Sequence, residues 1–242
     1  MRNLIIYVGV VIIAILSCKK KDQAVIKGNG VSPIDFLSSK NYTKLVIEID
    51  YVNGFEPSPA SITNLTNLLQ STINKPSVID VIKSSIESPG KNVYTLDDIV
   101  ALEEKYRNEV TKKNVITAYI LFLDNDYADP NVLGVNYRRS SIAIFEKKIH
   151  DLSGGLTQPS RELLETTVEE HEFGHVLGLT NNGTPLQSAH QDEPHGTHCN
   201  NKSCLMYYSV ETSDVINNLL GSNGAPSFDG ACINDLKANG GK

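Results

Sequence analysis

His171 and His175 stand four residues apart with Glu172 beside the first of them, in the run H-E-x-x-H-x-x-G that ends at Gly178. On a helix, residues i and i+4 lie one turn apart on the same face, so the two imidazoles can grip one Zn²⁺. Glu172 is then placed to take a proton from a metal-bound water, which is the chemistry of peptide-bond hydrolysis. Gly178 lets the chain adopt φ > 0 and turn sharply out of the helix, so that a further ligand can approach the metal. Such ligands are plentiful downstream: His190, Asp192, His195 and His198, followed by Cys199 and Cys204. Five of the six histidines fall between positions 171 and 198, the way zinc sites concentrate donors. His198, His195, His190 and Asp192 all stand as candidates for the third ligand.

A helix must carry the histidine pair. Pro159-Ser160 opens one, and the pattern runs from about residue 161 to 179, with Val168, Val176 and Leu179 on its buried side. Residues 44–51 (KLVIEIDY) alternate apolar and polar types and read as a strand, and residues 61–73 have helical spacing of Ile and Leu. A second strand is expected at 78–82 and a helix from Thr95 to about 112. Residues 114–123 (NVITAYILFL) are β-branched and aromatic enough for a central, buried strand. Short strands follow at 135–137 and 141–145, around Arg138-Arg139. The order β-α-β-α-β-β-α implies an α/β or α+β domain with a mixed sheet.

A chain of 242 residues suits one catalytic domain. A net charge of −6 and the lack of a basic stripe argue against a nucleic-acid partner. Residues 4–16 form an apolar run behind Arg2, too short for a spanning helix, and end at Ser17-Cys18 before Lys19-Lys20-Lys21. This resembles a bacterial lipoprotein signal. The resemblance implies removal of residues 1–17, a lipid on the Cys18 thiol, and anchoring to a membrane of the cell envelope. Residues 18–43 are polar, with Gly and Pro, and read as a tether, leaving 44–242 as the catalytic domain. Export places Cys199, Cys204 and Cys232 in an oxidising compartment, where an odd number of thiols leaves one unpaired or serves a metal.

The extended motif resembles the metzincin group of zinc proteases. Six residues past His175, where that group commonly has its third ligand, stands Asn181, a poor ligand for zinc. The later run His198-Cys199-Asn200-Asn201-Lys202-Ser203-Cys204-Leu205-Met206 resembles the archaemetzincins. There a third zinc histidine is followed directly by a Cys, four residues, a second Cys and the Met of the Met-turn. The resemblance implies His198 as the third ligand, Met206 as a hydrophobic floor, and Tyr208 as a donor to the oxyanion. It also implies a metzincin-like mixed twisted sheet, an active-site helix and a C-terminal helical subdomain. In archaemetzincins the two cysteines join a later C-x-x-C pair around a structural zinc; here only Cys232 follows, so that set is incomplete. A three-cysteine site with His195 is one alternative, and a disulfide involving Cys199 or Cys204 is the outcome expected in the envelope.

These readings imply a lipid-anchored zinc endopeptidase, monomeric, with Glu172 as general base and a protein or peptide as substrate. In the metzincin group an exposed edge strand above the site pairs with the peptide, and residues 134–137 or 141–145 would supply it. The alternative is a metal-binding surface lipoprotein without hydrolysis, but a purely structural site has no need of Glu172.

Overall fold

The computed structural model describes residues 30–242; the signal segment and Cys18 lie outside the described residues. The chain runs through α1 (Pro33–Leu37), β1 (Lys44–Val52), α2 (Pro59–Thr72), β2 (Asp80–Ile86), β3 (Val93–Tyr94), α3 (Leu96–Tyr106), β4 (Val115–Phe122) and β5 (Asp126–Tyr127). It continues through β6 (Gly134–Tyr137), β7 (Ser141–Ile144), α4 (Glu146–Asp151), α5 (Arg161–Val176), α6 (Val215–Leu219) and α7 (Gly230–Ala238). Single 3₁₀ turns sit at Glu193–His195 and Tyr208–Glu211.

Five strands form a mixed sheet in the order β2-β1-β4-β7-β6. The first four are parallel, and β6 runs antiparallel to β7 as an edge. The fold is therefore a mixed α/β domain, as the element order implies. β4 is central and buried on both faces because it has apolar residues at every position but Thr117. Ile116, Ile120 and Phe122 join the core shared with α2 and α5, while Tyr119 and Leu121 join Tyr94, Ile99 and Phe145 on the other face.

Several elements depart from the sequence expectation. β1 is buried on both faces despite its alternating pattern, because its polar residues find partners. The Glu48 carboxylate accepts from the backbone N–H groups of Asn108 and Glu109 at 2.7 and 2.6 Å, and Asp50 accepts from the Tyr119 hydroxyl at 2.8 Å. The same bonds end α3 at Tyr106 rather than near 112, since Asn108 and Glu109 give their N–H groups to Glu48 instead of to a helix. The stretch expected as tether up to residue 43 is part of the fold from α1 onward. Phe36 and Leu37 are buried, and Phe36 meets Phe173 of α5 edge-on at 6.4 Å.

α5 starts where Ser160 accepts from the Leu163 N–H at 3.1 Å. It is buried all round from Leu164 to Val176, wedged among α2, α4, β6, β7 and the 3₁₀ turn at 208–211, so its polar residues lie inside. Its exit uses Gly178 at φ 76°. A Cβ there would come 2.6 Å from Pro33 Cβ and 2.7 Å from the Thr184 hydroxyl, so α1 and the following loop close directly over the bare glycine.

Candidate metal centre

α5 delivers His171 and His175 to one point, with their Nε2 atoms 3.2 Å apart. After Gly178 the chain makes a loop in which residues 190–192 lie antiparallel to 198–200. Asp192 N–H donates to His198 O at 2.7 Å and Asn200 N–H to His190 O at 2.9 Å. The Thr180 hydroxyl donates to Thr197 O and ties this loop to the end of α5. His198 is thereby brought against the pair, its ring centroid 5.3 Å from that of His171 and 5.0 Å from that of His175. The chain then passes under α5, where Met206 Sδ occupies the space beside Gly174; a Cβ on Gly174 would lie 2.3 Å from that sulfur.

Two ring orientations are set by backbone acceptors. Leu205 O lies 2.7 Å from His171 Nδ1, and His195 O lies 2.7 Å from His198 Nδ1. A carbonyl only accepts, so Nδ1 carries a proton in both rings, and in the neutral ring Nε2 presents its lone pair. Burial, then the neighbouring His171 and His198, hold His175 well below the usual imidazole range. Lone pairs aimed at one another this closely repel unless they share a proton or a metal ion. A tetrahedral Zn²⁺ with bonds of about 2.0–2.1 Å needs donor atoms roughly 3.3 Å apart. The three histidines fit that ion.

A fourth donor escaped the sequence reading. Glu211 Oε2 stands 3.4 Å from His198 Nε2, 3.7 Å from His171 Nε2 and 3.9 Å from His175 Nε2. All four ligand atoms lie within 4.8 Å of one another. Burial acts to raise Glu211, but His171 and His198 overcome it and hold the carboxyl below the ordinary range. A lone Glu in a short 3₁₀ turn has no periodicity that marks it.

Glu172 lies at the same cleft, of about 350 Å³, lined also by Val135, Asn136, Asn182, Thr197 and Glu211. Its two oxygens are buried and have no side-chain hydrogen-bond partner among the described residues, with only the Asn136 backbone N–H of β6 acting on them. Burial, then the Glu211 carboxylate, push its pKa well above the usual carboxylate value. β6 crosses directly above it: a Cβ on Gly134 would come 2.9 Å from Glu172 Cγ, so only glycine permits this approach. A larger groove, about 640 Å³, runs between α2 and α5 and is lined by Asn64, Asn67, Glu170 and Asn223 among others, with no histidine or cysteine.

The remaining candidates go elsewhere. His195 is exposed, holds Asp192 Oδ2 at 2.7 Å and stacks on Tyr208 at 3.7 Å, and neither Tyr208 nor Asp192 lines the cleft. Asn181, at φ 69°, donates to the Gln191 side chain at 3.1 Å. Residues 141–145 do not offer an edge, because β7 is enclosed between β4 and β6; the edge is β6.

The expected disulfide is absent, for Cys199, Cys204 and Cys232 are all free and buried. They meet His190 instead of His195. His190 Nδ1 is 3.5 Å from Cys199 Sγ and 4.0 Å from Cys232 Sγ, and Cys204 Sγ is 3.6 Å from Cys232 Sγ. Sulfurs around zinc at about 2.3 Å stand roughly 3.8 Å apart in a tetrahedron, so these spacings suit an ion and not an S–S bond. The other ring nitrogen, Nε2, lies 2.7 Å from Asp235 Oδ2, the carboxylate–imidazole arrangement that orients a metal-binding ring. The thiols of Cys199 and Cys232 hold Cys204 down to about 4 while their own values are raised, so the trio shares a single thiolate on Cys204, the form that binds metal. Asp229 Oδ2 is also near, 3.5 Å from Cys199 Sγ, but it already accepts from Asn201 at 3.0 Å.

No protein-family model matches the sequence, and no curated protein matches it. Among solved structures, the chain is similar to archaemetzincin from Methanopyrus kandleri, with a TM-score of 0.49 at 15% identity over 83% of this chain and 96% of that one. It is also similar to metalloproteinase-II from Bacteroides fragilis, with a TM-score of 0.47 at 12% identity over 84% of this chain and 54% of that one.

Proposed function

We propose that this chain is a zinc-dependent endopeptidase of the bacterial cell envelope, anchored by lipid on Cys18, in which His171, His175 and His198 hold the catalytic ion. The observation that carries the reading is the convergence of three imidazoles with a buried Glu172 that no other side chain satisfies, at one cleft. Zn²⁺ bound there would supply a Lewis acid and an acidified water. The chain's own residues do the rest. His171 and His198 are locked as Nδ1–H tautomers by Leu205 O and His195 O, so their donor atoms need no rearrangement. Glu172, made a stronger base by its dry setting, would as the carboxylate take a proton from water and return it to the leaving amine. β6 is the end strand of the sheet, and an extended peptide pairing along it would bring a scissile carbonyl to the cleft that Glu172, His175 and His198 line.

A second, structural zinc would sit at His190, Cys199 and Cys232, whose donor atoms lie within 4.8 Å of one another and of Asp229, with Cys204 beside Cys232 as the further sulfur donor. Soft sulfur donors and an imidazole, all buried, make a set suited to zinc.

The test is hydrolysis of casein or a peptide library by the protein lacking residues 1–18. Glu172→Gln should lower turnover by about 10²–10⁴-fold while bound zinc is unchanged. Zinc bound at the histidines with no cleavage by the parent protein would favour a metal-binding lipoprotein instead. Equal activity in Glu172→Gln would remove Glu172 from the mechanism.

A further inference from the structure

We propose that Glu211 is a displaceable fourth ligand of the histidine centre, which keeps the metal closed until a peptide settles along β6. The inference rests on the peptidase reading for the peptide, but its core concerns ligation alone. Catalytic zinc sites keep one position open, whereas closed four-ligand sets are structural. Here a fourth donor from the protein already stands at or a little beyond the tetrahedral separation: Glu211 Oε2 is 3.4, 3.7 and 3.9 Å from the Nε2 atoms of His198, His171 and His175. Had Glu211 merely neutralised one protonated histidine, it would face one ring. It faces all three.

The four donors differ in freedom. The imidazole side chains are at most 8% exposed and two are pinned through Nδ1, whereas the Glu211 side chain is 29% exposed at the cleft. Only the carboxylate can leave without breaking the core. Its backbone, by contrast, is fixed to the segment that begins β6. Leu133 N–H donates to Glu211 O at 2.8 Å, and Val132 pairs with Thr212. A peptide added to the edge of β6 therefore arrives beside Glu211, where its carbonyl can replace the carboxylate. Glu211 turns outward toward solvent by side-chain rotation, and no covalent bond changes.

The experiment uses the full chain in detergent, with Glu211→Gln and Glu211→Asp. Zinc affinity is measured against a chromophoric chelator, and azide binding is followed by the visible spectrum of the cobalt-loaded protein. Azide reads the histidine centre because the buried cysteine cluster has no open position. A fourth ligand predicts zinc held at least tenfold more weakly in Glu211→Gln and azide bound at least tenfold more tightly, since nothing must be displaced. Glu211→Asp, one methylene shorter, should fall between, and it decides the matter if circular dichroism shows Glu211→Gln unfolded. Equal zinc and azide affinities across the variants would overturn the proposal. So would absence of any metal from the parent protein. Metal bound as proposed but no peptide cleaved would overturn the peptidase reading and leave the role of Glu211 standing.

Discussion

His198 and His195 are three residues apart, yet only one of them faces the pair on α5. The separation follows from the loop's geometry, because His195 O is the acceptor that holds the His198 ring while the His195 side chain turns out onto Tyr208. We expect His198→Ala to lose the ion at the histidine centre, whereas His195→Ala keeps it with at most a few-fold change. Metal content after dialysis measures both, and the reverse pattern would invalidate the centre. At the second cluster, Cys232→Ser should reduce zinc from two equivalents to one and lower the melting temperature, with the histidine centre still loaded. The i,i+4 histidine pair and Glu172 were legible because helical spacing alone places them. Glu211 and His190 were not, since their roles arise from a 3₁₀ turn and a loop whose paths no local pattern specifies. Free, crowded thiols rather than a disulfide likewise depend on three distant segments meeting.

At the scale of elements, the metal helix works only because neighbours approach it closely. Gly174 is the tightest point. Alanine there would favour the helix by about 1 kcal/mol, but its Cβ would meet Met206 Sδ at 2.3 Å. Overpacking of this kind costs about 1–3 kcal/mol. The net effect should be a lower melting temperature and weaker zinc binding, read by thermal melts and zinc titration; a variant as stable as its parent would show that Met206 moves freely. The elements themselves were largely readable: β4 from its apolar run, α5 from Ser160, β6 and β7 from the turn at Arg138 and Arg139, both of which have positive φ. The early end of α3 was hidden because its cause, Glu48, is about sixty residues away in sequence and lies on β1. Which short strand formed the edge was equally hidden, because alternation does not reveal strand order.

Over the whole molecule, buried carboxylates make stability depend on pH. Glu146 is raised to about 7, mainly by burial, with His150 and Arg161 opposing and Glu165 adding to the rise. A folded-state value above the unfolded one means that the folded chain binds more protons between about 4.5 and 7. Stability from this group is therefore full below 4.5 and is lost as pH rises through 7. Glu146→Gln should flatten that loss by on the order of 3 kcal/mol, measured as the difference in denaturant unfolding between pH 4.5 and pH 8 at saturating zinc. An unchanged slope would mean that Arg161, which meets Glu146 at 2.8 Å, already compensates its burial. The domain boundary can be tested in the same way. A protein starting at residue 44 gives up the burial of Phe36 and Leu37 and should be less stable than one starting at 30 by about 3–6 kcal/mol.

Pro33 rests on the bare backbone of Gly178 and Gly183, at the exit of the metal helix. If the chain is moored at Cys18, any pull along the mooring reaches that wedge first, at the junction between helix and ligand loop, before it reaches the sheet. The intervening fourteen residues, drawn out straight, would extend at most about 50 Å. The cleft would then be confined to a thin shell above the bilayer, where it could reach only substrates that enter that layer.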